Sequence, residues 1–229
     1  MNRLALSVLL LVAPAMFAQA NSPAKAAQSI DRPAEPNLVF DDDGGKAQIV
    51  PQDLSVTEKT FHGGEVMKSA QQVSIFLGSP WADQSVRVRQ TALLDLGATQ
   101  AAHLADLKKN NVHTLTAAPS TEDFTDLANA QVNDLTIQRK LSDLLASKAI
   151  PAPSPTTVYV VYLAPGVNSS LGVHKAGVDY AAYHNFVHLE AGEVRYVVVP
   201  FHDSADRHSA VAARAFAETA LNPNGTGWY

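Results

Sequence analysis

Arg214 and Glu218 stand four residues apart in the alanine-rich run "AVAARAFAETALNPNGTGWY" that ends the chain. A helix there would set both on one face, about 6 Å apart along the axis at ~1.5 Å per residue. Zinc hydrolases present two metal ligands at this spacing, with a carboxylate beside the first to take a proton from metal-bound water. Arginine cannot be such a ligand, because the guanidinium keeps its positive charge and offers no lone pair. Ala215, next to it, carries no base. The spacing predicts an Arg214–Glu218 ion pair, either offsetting a partly buried carboxylate or lying solvated on the surface, where it is worth ~0.3–0.5 kcal/mol. Both versions make the helix non-catalytic.

The other candidate groups assemble poorly. His184 and His188 would chelate on a helix but read as strand residues, about 13 Å apart at ~3.3 Å per residue. His208 precedes Glu218 by roughly 15 Å of helix. His202, Asp203 and Asp206 read as a polar turn capping the helix start. With no cysteine in the sequence, disulfides, thiol nucleophiles and thiolate metal sites are excluded. "LGSPW" (Leu77–Trp81) puts a serine after a strand but lacks the second glycine of a nucleophile elbow. The paired glycines of "FHGGEV" have no phosphate-loop lysine after them and predict a turn before the first strand. "DDDGG" (Asp41–Gly45) lacks the spaced ligands of a calcium loop and reads as a solvated acidic run.

Residues 1–20 join Arg3, an apolar run from Leu4 to Val12 and the small-x-small ending Ala18-Gln19-Ala20. This reads as a secretory signal cleaved after Ala20, the alternative being an uncleaved anchor that keeps Leu4 to Phe17. Export to the periplasm or the medium is the expectation, with no transmembrane segment in the mature chain. Loss of Arg3 takes the net charge from −5 to −6, which argues against a nucleic-acid partner. Residues 21–56, rich in Pro, Ala, Gln and Asp, read as a disordered leader. With 46% apolar residues in the chain, residues 57–229 read as one domain with a core of its own.

Within that domain "QQVSIFLG" (Gln71–Gly78) reads as a buried strand, and Val86 to Gly97 as a helix. Val112 to Thr116 reads as a short strand. Asn133 to Ala149 reads as a helix burying Leu135, Ile137, Leu141, Leu144 and Leu145. Prolines 151, 153 and 155 stop it before the β-rich "TVYVVYL". A hairpin follows, with "YAAYHNFVHL" and "EVRYVVVP" joined at Glu190-Ala191-Gly192. A final helix runs from Ser209 to Leu221. The fold class is mixed α/β: a mixed sheet with a late antiparallel hairpin and helices packed on it.

Three stretches, "FHGGEVM" ahead of "VSIFLGSPW", "VYVVYL" followed by "YHNFV", and the tail, resemble the EXORDIUM or phosphate-induced-protein family in order and spacing. That family is known from secreted plant proteins and bacterial relatives. Its tail resembles His-Glu-x-x-Glu, three residues, Asn or Asp, Pro, and four residues later Trp-Tyr. Laid on this chain without gaps, the pattern keeps Glu218, Asn222, Pro223, Trp228 and Tyr229 in register. It places Arg214 where the family has His, and Ala215 where it has the first Glu. The resemblance implies a zincin-like scaffold with a degenerate motif, and His184 close to the site in a pocket with Tyr183, Glu218 and Trp228. It implies a non-catalytic binding or envelope role toward an extracellular ligand, with no cofactor. The alternative is an active zinc-dependent, peptidase-like hydrolase using His184, Glu218 and a third ligand. The family runs on past the position of Tyr229, so the domain reads as short at its C-terminus.

Overall fold

The structure is a computed structural model that describes residues 47–54, 60–83, 105–123, 127 and 131–227. The expected signal segment 1–20, the expected helix over 86–97, and Trp228 and Tyr229 lie outside them. Ten strands occur among the described residues: β1 (Gln48–Val50), β2 (Ser69–Leu77), β3 (Thr114–Ala117), β4 (Thr121–Asp123), β5 (Gln131–Asn133), β6 (Thr157–Leu163), β7 (Asn168–Leu171), β8 (His174–Lys175), β9 (Ala182–Leu189) and β10 (Gly192–Val199). The helices are α1 (Ala105–Lys109), α2 (Asp134–Ala146) and α3 (Ala205–Leu221).

The large sheet runs β1-β9-β10-β6-β2-β3, with β4 also paired to β2. Its centre is parallel, β10 to β6, β6 to β2, and β2 to β3 and β4, and the β9–β10 hairpin adds an antiparallel margin that β1 extends. Every residue of β6 is buried, as expected of a central parallel strand covered on both faces. A small mixed sheet, β5-β7-β8, stands apart from it. The mixed α/β class with a late hairpin is what the residue pattern predicts.

Helix ends are set by local chemistry. The Asn133 side chain accepts the Thr136 amide at 2.9 Å and starts α2. Lys148, at φ 58°, closes the other end as the amides of Lys148 and Ala149 return to the carbonyls of Leu145 and Leu144. In α3 the Ser204 hydroxyl accepts the Arg207 amide at 3.3 Å, so the helix begins at Ala205, four residues before the expected Ser209. Asn222 and Pro223 end it. Alanine favours the helix and its small side chain lets the axis approach the sheet closely. Ala212, Ala213, Ala215, Ala217 and Ala220 are all buried around Phe216.

The expected leader ends too late. Gln48–Val50 pair with His184, Tyr183 and Ala182 as an edge strand, and Val50 is fully buried. Three β-compatible residues next to an acidic, proline-rich stretch give little periodic signal, and β9 supplies the ladder. No helix among the described residues is long and apolar enough to cross a membrane.

Candidate functional site

Arg214 and Glu218 do pair. Arg214 Nε donates to Glu218 Oε1 at 2.6 Å, with the side chains 23% and 12% exposed. The pair lies on the stripe Arg207, Ala210, Arg214, Glu218, Leu221, the least buried along α3, so it faces away from the sheet. Glu218 is nonetheless deeply set, and its Oε2 is enclosed with no hydrogen-bond partner. Ala215, where a base would stand, is fully buried in the core.

The other motif residues meet at the C-terminal end of α3. The Met67 amide donates to the Ala220 carbonyl at 2.8 Å, and the His62 amide to the Gly227 carbonyl at 2.7 Å. Asn222 Oδ1 accepts the Gly227 amide at 2.7 Å, which assigns Asn222 to holding the tail. The glycines are there for space as much as for a turn: a Cβ on Gly64 would lie 2.4 Å from Gly227 Cα. "FHGGEVM" and the tail therefore cross backbone against backbone. Glu65 carries the contact outward, taking Asn224 Nδ2 at 3.0 Å and Arg195 at 3.2 Å. Arg195 is buried and also pairs with Glu193 at 2.5 Å.

Of the expected pocket, Trp228 lies outside the described residues, and Tyr183 and His184 do not come together. Neighbouring strand residues point to opposite faces. The Tyr183 hydroxyl donates to Asp134 at the start of α2. His184 pairs in register with Val197, which lies on the face of Tyr162 and hence of α3. His188, four residues on, is solvent-exposed beside Glu193, so the two histidines share no ligand. Among the described residues no group of three or more His, Asp or Glu side chains could hold a metal ion. Arg214 occupies Glu218 Oε1, the oxygen that the alternative zinc set of His184, Glu218 and a third ligand would use.

A site that sequence spacing did not reveal centres on Asp134. Its carboxylate accepts the hydroxyls of Tyr183 and Tyr196, each at 2.8 Å, Gln138 Nε2 at 2.8 Å and Asn185 Nδ2 at 3.1 Å. Burial, with the Asp134 charge next, raises both tyrosines well above their ordinary range. The one local signal was the acidic residue behind the Asn133 cap, since the tyrosines lie 49 and 62 residues further along the chain. Saturated with donors, this carboxylate ties α2 to the sheet and is no free base.

Fold and site together define a mixed α/β protein whose last helix presents an Arg–Glu pair at ligand spacing. Comparison of the chain with family models, with curated proteins and with solved structures finds no match in any of the three.

Proposed function

We propose that this is an exported, non-catalytic binding or envelope protein on a zincin-like, metallohydrolase-derived scaffold, in which an ion pair stands where active relatives of the EXORDIUM-like family would hold zinc. The observation that carries this reading is the 2.6 Å contact between Arg214 and Glu218 one helical turn apart. A permanent cation beside the carboxylate supplies the charge a metal would supply, without the bound water that hydrolysis needs. The order of elements supports the scaffold: a parallel block, an antiparallel hairpin at its margin, then the helix with the pair. The convergence of "FHGGEVM" with the tail supports treating these motifs as one unit. The pair lies on the stripe of α3 turned away from the sheet and is partly open to solvent.

Elemental analysis of the purified protein tests it. The reading expects no stoichiometric zinc in the native chain and uptake of about one zinc by the variant carrying Arg214→His with Ala215→Glu. Stoichiometric zinc in the native protein would overturn it in favour of a hydrolase using His184 and Glu218. A folded double variant that takes up no zinc would remove the scaffold argument.

A further inference from the structure

His208 lies in the first turn of α3, and its environment is unusual for an ionisable group. It is fully buried, and neither ring nitrogen has a hydrogen-bond partner. Rings surround it from three elements: Trp81 from the 3-10 turn after β2 (Ser79–Ala82) at 6.4 Å, Tyr162 of β6 at 5.6 Å, and Phe201 and His202 after β10 at 5.8 and 5.7 Å. An apolar residue would fill such a box at lower cost, because two enclosed polar atoms without partners are each unfavourable.

Apart from the rings themselves, the groups facing the imidazole offer a proton no hydrogen-bond acceptor. Tyr162 accepts Gln72 Nε2 at its hydroxyl, and its carbonyl accepts the Trp81 indole N–H at 3.0 Å. His202 donates Nε2 to the Ala181 carbonyl at 3.1 Å, and it is itself a base. On α3, Arg207 is directed to the Gln52 carbonyl at 2.6 Å, and Asp206 is exposed. The charges of Asp203 and Arg207 act on His202 in opposite senses.

We propose that His208 makes the first two turns of α3 an acid-released latch: the neutral imidazole closes the aromatic box, and a proton on it frees residues 200–212 from the sheet while the rest of the helix stays docked. The asymmetry follows from the anchors. The C-terminal half is held by the backbone contacts from Met67 and His62, the Asn222–Gly227 bond and the fully buried Phe216. The N-terminal half has the Ser204 cap, the Arg207–Gln52 contact, the box itself and the smaller buried side chains of Ser209, Val211 and Ala212. Release would uncover Trp81, Tyr162 and Phe201, an aromatic surface shown only in acid.

Burial first, and His202 second, lower the His208 pKa to about 3 from 6.5. A base whose folded pKa is depressed favours the closed form fully above the free value and loses that preference as pH falls toward the folded one. The window is thus about pH 6.5 down to 3, and at pH 4.5 the closed-to-open ratio falls by about 100-fold, tenfold for each unit.

Hydrogen exchange on the full chain, corrected for intrinsic rates, is the test, read beside Trp81 fluorescence in a Trp228→Phe background. The expected result is loss of protection over 205–212 by about two orders of magnitude between pH 6.5 and 4.5, retained protection over 213–221, and a red shift of Trp81 emission. His208→Phe should remove the two-order loss and leave only the smaller acid dependence of His202, whose pKa burial also lowers. Identical profiles for parent and His208→Phe, or loss of all of α3 together, would overturn the proposal. So would an imidazole that titrates near 6.5 by NMR in the parent protein, a readout that stands even if the variant fails to fold.

Discussion

Removing the Asp134 carboxylate, by Asp134→Ala, is the most informative single change available. Asp134 collects the hydroxyls of two fully buried tyrosines and the amide donors of Gln138 and Asn185. Its loss leaves the Tyr183 and Tyr196 hydroxyls without the acceptor to which they donate. Each stranded buried donor costs about 1–3 kcal/mol, and bonds to a charged acceptor lie at the upper end. Water entering the vacated volume recovers part, so the net loss should be about 3–5 kcal/mol, a large share of the ~5–15 kcal/mol that holds a typical domain. For a chain of this size that lowers Tm by roughly 10 °C, at about 2–4 °C per kcal/mol. Urea unfolding followed by circular dichroism measures the first figure and calorimetry the second. Tyr183→Phe and Tyr196→Phe should each cost about 1–1.5 kcal/mol, and Tyr183→Phe combined with Asp134→Ala should recover stability because it removes a stranded donor, whereas Tyr196→Phe also takes away the hydroxyl that accepts Gln138 Nε2 at 3.0 Å. If Asp134→Ala stays within about 0.5 kcal/mol of the parent, this carboxylate does not hold α2 to the sheet and the reasoning fails.

Other outcomes follow from the same contacts. Tyr180 is pushed up to about 12 by burial, and burial also raises Tyr183 and Tyr196 well above their ordinary range. An acid with a raised folded pKa loses stability as pH climbs past its free value, so unfolding should set in above about pH 10 and come later in the Tyr183→Phe variant. Absorbance at the tyrosinate band, read against circular dichroism, checks whether these rings ionise only with unfolding. Arg214→Ala should destabilise by about 1–3 kcal/mol, since it leaves a deeply set carboxylate uncompensated, while Glu218→Gln with Arg214→Met should cost less. Additive losses in a double-mutant cycle would mean the pair is only solvated. Gly64→Ala should cost at least about 2 kcal/mol, as its Cβ meets Gly227 backbone at 2.4 Å and no flexible side chain can yield. Unchanged stability there would place the crossing elsewhere.

The residues alone fixed whatever depends on neighbours a few positions away. "TVYVVYL" became a strand buried on both faces, the hairpin turned at Glu190 and Ala191, and Arg214 met Glu218, because strand alternation and helical repeat act over two to four residues. The mixed α/β class follows from those elements. Tertiary structure decided what depends on distant partners. It added β1 to the sheet edge, sent Tyr183 and His184 to opposite faces, crossed Gly64 over Gly227, and gathered Asp134 with tyrosines 49 and 62 residues away. The physical reason is that such a contact is selected by packing and by the cost of leaving a buried polar group unpaired, and neither leaves a spacing in the chain to be read.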